Sequence, residues 1–488
     1  MAFGAVAGLD GESFKTWDFC SAAQSTHDKF LEDTLQPPPY RPSSLKKSII
    51  ATKFLYGQVA NKPDDFAPAD LSMAAKKLAF NKYVCNTRFD VDSQVMQQAV
   101  DLVIVHYRKA AGSQLLDRES IISRFDPSKS SGITYRPFKK KGEVIKYPEA
   151  VDHLEQSSHQ LLYEGCLTYC EMLVKDELRD VERVAAKKTR LFISGDLVGA
   201  WSGLLLCGDQ NERLAKCWRD HSSVVGLNPF YDTDFIAKSH LAMEKSGMET
   251  FAGDISGWDY HVDVMFFVCL AYIRFNLMSY DLRTPEVFTA MVNYYRHVAY
   301  SPVSTPFGVV SFAGKQKSGF GNTIDDNCFI NAIIFFYMIL LRHRNITYSQ
   351  ICENFGAHFC GDDNLWSTFT DFLPHAYVEK IFQDSFGMII TIEPHRSILD
   401  GVTFCSSAFG YSLSLRRFVR VPNVDKIRAG ACYYVKSGSH PNKILNLAVL
   451  AYPNRELHLQ LKALWYVLTS DPFPLTDMDI RRIYTHEH

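Results

Sequence analysis

The chain carries almost no net charge: 52 lysines and arginines stand against 54 aspartates and glutamates, a formal −2 over 488 residues. Composition therefore gives no global basic signal for nucleic acid, and only a local basic groove could serve one. The 12 cysteines include no CxxC pair, so the usual spacing signal for zinc is missing. Buried thiols in a reducing compartment are the plain reading. No internal repeat or low-complexity tract is found. The longest apolar runs, around Val264–Tyr272 and Ala332–Leu341, fall short of the ~20 residues a membrane span needs. The opening MAFGAVAGLDGESF is neither basic nor apolar for long enough to be a signal peptide. The expectation is a soluble protein without a transmembrane segment, with any membrane association peripheral or through a partner.

The 47% hydrophobic content is enough for a large core. Apolar spacing predicts helices within 72–111 and over about 149–174. A short strand is expected in TFAGDIS, then a buried helix in VDVMFFVCLAYIRFNLM and another in NCFINAIIFFYMILLRHR. HFCGDDNLW (358–366) has the pattern of a β-hairpin with Asp362 and Asp363 at its tip. A helix, the strand MIITIEP and a mostly helical C-terminal region follow. Mixed order of this kind argues for an α+β fold.

Two adjacent acids among apolar neighbours are costly unless something neutralises them. A lone GDD is also a common turn, so its companions must decide. Asp254 closes the expected strand in GDISGWDYHVD, with Asp259 five residues on. If that strand lies beside the hairpin, Asp254 and Asp362 converge as an oxygen-rich site for Mg²⁺. In KSGFGNTIDDNCFIN (317–331), Ser318 and Gly319 make a flexible loop, and Thr323 and Asn327 stand i,i+4 on one helix face. A ribose 2′-hydroxyl would give that polar pair a purpose; helix capping would account for one member. In VKDELRDVERVAAKKTRLF (174–192), Asp176 can pair with Arg179 and Asp180 with Arg183, as on a solvated helix. Lys187, Lys188 and Arg190 have no acid three or four residues away, which leaves them available to phosphate.

Taken together and in this order, these elements resemble the RNA-dependent RNA polymerases of positive-strand RNA viruses, in the picornavirus-like and sobemovirus-like group. That family shows acid-x4-acid, then SG-x3-T-x3-N, then GDD, over what are here residues 125–410. The resemblance implies a right-hand fold: an N-terminal segment at 1–60 bridging fingers to thumb, fingers at 61–245, a palm with an antiparallel sheet at 246–410 carrying a fingers insertion near 275–315, and a small helical thumb at 411–488. It implies template-directed nucleotidyl transfer from NTPs to an RNA 3′-hydroxyl with two Mg²⁺ ions, Mn²⁺ being a substitute. Asp254 and Asp362 would ligate the metals and Asp363 would assist. Asp259 and Asn327, aided by Ser318, Gly319 and Thr323, would select ribose. Lys175, Arg179, Arg183 and Arg190 would hold the triphosphate. Ser130, Ser131 and Gly132 resemble a template-entry loop, and Lys187 and Lys188 would also meet RNA. Partners would be RNA template and primer, NTPs, a primer protein and other viral replication proteins. The setting would be the host-cell cytoplasm, in replication complexes joined to membranes through partners.

Two departures stand out. The family usually has a lysine general acid after the hairpin strand. His395 or Arg396 falls there, and His395 is the favoured replacement. FCSS (404–407) lacks the basic pair of the primer-gripping element, so Arg416, Arg417 and Arg420 become the candidates for that contact. Competing readings are a reverse transcriptase, which usually carries an aromatic gate where Asp259 stands, and another metal-dependent phosphotransferase or nuclease, in which the ribose-selecting pair would have no role.

Overall fold

Polar residues cap the apolar segments and so set where the elements begin. In the computed structural model, which describes residues 42–58, 62–135, 138–395 and 397–486, helix α1 (Ser93–His106) starts at Asp92, whose carboxylate accepts the amides of Gln94 and Val95. Strands β1 (Cys170–Val174) and β2 (Leu191–Ser194) pair antiparallel. Asp196 caps helix α2 (Leu197–Lys216) in the same way. Strand β3 (Glu249–Ser256) precedes helix α3 (Val264–Asn276). Helix α4 (Pro285–Tyr300) has Thr284 as its cap and proline in its first turn. Strands β4 (Pro302–Thr305) and β5 (Gly308–Ser311) lead to helix α5 (Thr323–Arg342). The hairpin is β6 (Phe355–Cys360) and β7 (Asp363–Thr368), followed by helix α6 (His375–Phe386) and β8 (Ile389–His395). Strands β9 (Thr403–Phe404), β10 (Ser407–Ser412) and β11 (Arg417–Pro422) form a small sheet before helices α7 (His440–Leu450) and α8 (Arg455–Thr469).

The helix expected over 149–174 ends early. Its regular part is Pro148–His159, a π turn continues to Glu164, and Gly165 then takes φ +72. Cys170–Val174 is drawn into a sheet because it pairs with two partners, antiparallel to β2 and parallel to β4. Local periodicity carries no trace of such distant pairing.

The central sheet has the order β8-β3-β7-β6, antiparallel throughout. Its faces alternate by residue. Trp366 and Phe359 meet Phe335 of α5. Ser367 and His358 point the other way and hydrogen bond both ring nitrogens of His240, at 2.7 and 2.9 Å, on the Thr233–Lys245 helix. Burial holds the pKa of His240 well below the ordinary value, so it is neutral here. Helices α3 and α5 are buried on nearly every face. By length and composition alone α5 is apolar enough to cross a membrane, with mean hydropathy 1.6, longer than its apolar run suggests; 89% of the relevant stretch is buried inside this protein. It is a core helix.

The N-terminal expectation falls partly outside the described residues, since 1–41 are not among them. Where the chain becomes described, Ser43 and Ser44 bond the Asp176 carboxylate at 2.6 Å each. Lys46–Lys47 then pair with Tyr433–Tyr434. This stretch thus touches both the basic segment and the C-terminal region at Tyr433–Tyr434. The boundary expected at 410/411 falls inside β10, whose whole length pairs with β11.

Candidate active site

Asp254 stands near the end of β3, and Asp363 begins β7. The register pairs Gly253 with Asn364 as its last rung, so Asp254 and Asp363 are the next residues along the two strands, and the Asp254 charge is felt at Asp363. The intervening turn is only Gly361 and Asp362, because Cys360 pairs with Asp363. Gly361 takes φ +67, as the first position of a two-residue hairpin turn requires. Asp362 thereby projects into a cleft of about 550 Å³. Burial pushes the Asp363 carboxyl up to about 6, and the charges of Asp362 and Asp254 add to the shift. The charges of Asp254 and Asp362 thus both bear on Asp363.

Among the described residues, no three histidine, cysteine or acidic side chains are gathered into a ready-made metal cluster. The donor set nevertheless fits Mg²⁺. It is all carboxylate oxygen, and Mg²⁺ takes one or two such ligands and completes its shell with water and substrate phosphate.

The neighbouring wall is made by Asp259 and the loop before α5. Gly257 takes φ +67, and a Cβ there would fall 2.0 Å from the Tyr260 ring. This tight entry turns the Trp258–His261 helical turn, and with it Asp259, toward the cleft. The Ser318 hydroxyl donates to the Asp259 carboxylate. The Asp259 carbonyl accepts the Gln316 amide at 2.7 Å, and Gln316 Nε2 donates to Asn327 Oδ1 at 2.6 Å. Asp259 and Asn327 are therefore held by one loop. That loop is pinned by two lysines: Lys315 donates to the carbonyls of Cys85 (2.6 Å) and Tyr260 (2.8 Å), and the buried Lys317 donates to those of Val298 and Ala299. Burial lowers the Lys317 pKa to about 8. It also raises Asp259 to about 6, opposed by the Ser318 bond and assisted by the charge of Asp362.

Gly319 shapes the loop, and Thr323 lines the cleft while also holding the helix entry. The Gly319 amide donates to Ile193 at 2.9 Å, and a Cβ there would sit 2.5 Å from Ser194 Cα. Glycine is needed for the loop to lie against β2. The Thr323 hydroxyl donates to the carbonyls of Lys317 (3.0 Å) and Phe320 (2.9 Å), which secures the entry to α5.

The basic wall is organised by Glu177, which sequence reasoning missed. Its carboxylate lies 3.8 Å from Lys175, 3.5 Å from Arg179 and 3.6 Å from Arg190. The expected Asp176–Arg179 pair is absent because Ser43 and Ser44 take Asp176, and the region is strand rather than helix. The Asp180–Arg183 pair is present at 3.2 Å. Lys175 and Arg190 line the cleft, whereas Arg183 is exposed on the Val181–Ala185 helix outside it. Lys187, in a left-handed turn, and Lys188 are exposed.

Several other assignments need correction. His395 pairs with Thr250, while Asp254 pairs with Thr391. Four residues of strand put His395 ~13 Å along the sheet from the carboxylates, too far for it to serve as general acid; its neighbour is Glu393. Arg396 lies outside the described residues. Ser131 is buried, its hydroxyl donating to the Tyr135 and Phe138 carbonyls, so it cannot reach RNA. Ser130 is exposed, and Gly132 takes φ +82 against Asp196. Arg417 donates to the carbonyls of Tyr484 (2.7 Å) and Tyr231 (2.5 Å) and stacks on the Tyr231 ring, so it ties β11 to the C-terminal helix. Arg416 is exposed at the β10–β11 turn. Arg420 donates to the Cys405 carbonyl and faces Asp363.

A family profile described as viral RNA-dependent RNA polymerase matches residues 37–461. The chain belongs to the viral RNA-dependent RNA polymerases. Its segment resembles part of the genome polyprotein of Peanut mottle virus, with 26% identity over 280 residues, 56% of this chain and 9% of the polyprotein. It also resembles the RNA-directed RNA polymerase of Mushroom bacilliform virus, with 25% identity over 335 residues, 64% of this chain and 75% of that one. The chain thus spans about a tenth of the polyprotein. Among solved structures, the Sicinivirus 3Dpol RNA-dependent RNA polymerase superposes with TM-score 0.73 at 19% identity, covering 89% of this chain and 94% of that one. That likeness establishes a right-hand α+β polymerase fold for this viral polymerase.

Proposed function

We propose that this polymerase adds nucleotides to an RNA 3′-hydroxyl on an RNA template, using NTPs and divalent metal ions. The observation that carries the reading is the cleft. Lys175 and Arg190 border it, Asp259, Ser318 and Asn327 form another part of its wall, and Asp362 closes it. Lys175 and Arg190 hold the triphosphate. Asp259 and Asn327 face the ribose and hydrogen bond its 2′-hydroxyl. Asp254, Asp362 and Asp363 would hold Mg²⁺, or Mn²⁺ in its place. When bound, two such ions activate the attacking hydroxyl and stabilise the pyrophosphate leaving group. Exposed Arg416 and Ser130 are the surviving candidates for RNA contact, with Lys187 and Lys188. Partners in this reading are template and primer RNA, a primer protein and other viral proteins. It places the reaction in the host-cell cytoplasm, in complexes joined to membranes through those partners.

The test is sugar discrimination. Asp259→Ala is expected to lower the preference for NTP over dNTP by about 10–100-fold, the worth of one hydrogen bond to a charged group. An unchanged ratio in an active variant would remove Asp259 from ribose recognition. A second expectation concerns pH. Below about 6, Asp363 is protonated and a metal must displace that proton, so half-saturating Mg²⁺ rises by up to about tenfold per pH unit as pH falls from 6 toward 4. A flat Mg²⁺ requirement over that range would contradict it.

A further inference from the structure

Helix α5 carries one amide within an apolar stretch. From Cys328 to Met338, Asn331 is the only polar side chain besides Tyr337. It is fully buried, and its Oδ1 finds no hydrogen-bond partner among the described residues. Leaving that oxygen unmet costs ~1–3 kcal/mol, so apolar packing alone does not account for asparagine. Its Nδ2 donates to the Gly361 carbonyl at 2.8 Å. Three residues earlier on the same helix face, the buried Cys328 sulfur accepts the Gly361 amide at 3.2 Å. Both backbone groups of Gly361 are therefore held by α5.

This matters because Gly361 is the residue with the freest backbone in the turn. Its N–H belongs to the peptide plane before it and its C=O to the plane after it. Holding both fixes φ and ψ together, and so fixes the direction in which Asp362 leaves the turn. The same helix presents Asn327 to the cleft one turn earlier.

We propose that Asn331 and Cys328 are positioning residues that clamp the Gly361–Asp362 turn to α5 and thereby set the carboxylates for divalent-metal binding. The inference rests on the metal-dependent reading above. Helix α5 then joins sugar recognition to the metal site through one rigid element, Asn327 at one turn and Asn331 at the next.

The experiment measures Mn²⁺ binding to the full chain without nucleotide, from loss of the free aqueous Mn²⁺ electron paramagnetic resonance signal, alongside kcat and KM for NTP. Asn331→Leu is expected to weaken Mn²⁺ binding by about 10–100-fold, as supporting-shell changes do, and to lower kcat with KM for NTP held. Cys328→Ser, which keeps an acceptor for the Gly361 amide, retains wild-type affinity, whereas Cys328→Val does not. Wild-type affinity in a folded Asn331→Leu variant would overturn the proposal. If that variant does not fold, equal affinity in Cys328→Ser and Cys328→Val overturns it. A wild-type chain that binds no Mn²⁺ and adds no nucleotide would instead bring down the functional reading itself.

Discussion

Asp362→Asn is expected to cut nucleotide incorporation by about 10³-fold or more, ~4 kcal/mol of transition-state stabilisation, while leaving the metal-free protein as stable as before or more so. The two halves of this expectation have one cause. Asp362 sits on a two-residue turn beside Asp363 and adds its charge to the upward shifts of both Asp363 and Asp259. Without metal, that charge is repulsive. The raised value of Asp363 means that stability present below the unfolded pKa, near 4, is lost as pH rises through about 6. Removing the Asp362 charge relieves part of this loss. In the proposed reaction, metal and substrate would make the same charge the one that is needed. Activity falling together with the melting temperature would mean that Asp362 is holding the fold instead.

Arg274→Met is expected to lower stability by ~3–5 kcal/mol, because it strands a buried carboxylate. Arg274, on α3, is fully buried. Its guanidinium donates to Asp326 at 2.7 Å, to Tyr295 at 3.1 Å, to Gln210 at 3.0 Å and to Asn211 at 2.6 Å. Asn211 in turn donates to Asn322 at 2.8 Å. The network thus grips the first turn of α5 through Asn322 and Asp326, the neighbours of Thr323 and Asn327. Removing both charges in Arg274→Met/Asp326→Leu should recover at least half of the loss, since the penalty lies in the unpaired partner. Chemical denaturation of the two variants checks this; additive losses would show that the pair is worth no more than its parts.

The legible parts of this protein were those written locally. The hairpin of β6 and β7 follows from alternating apolar residues around Gly361, and α5 from a long apolar run behind Asn327. Asp254, Asp259 and the GDD turn could be named because their spacing is tight. What escaped reading depends on distant pairing. Nothing in its local sequence sets Glu177 apart, yet it gathers Lys175, Arg179 and Arg190. Gln316, Lys315 and Lys317 are polar residue types of which the sequence says nothing more, yet they are buried and hold the Asp259 wall. Arg417 and Ser131 were misjudged for the converse reason: residue type says that a group can meet phosphate, not which way it points. His395 failed on strand length, since its place after Pro394 puts it at the wrong end of β8.

The most direct test is single-nucleotide addition to a primed RNA with Mg²⁺, using four templates that each call for a different base. The predicted result is one added nucleotide, complementary to the template in every case, with pyrophosphate released and no product from the Asp362→Asn chain. Addition that ignores the template, or shortening of the RNA in place of growth, would contradict it.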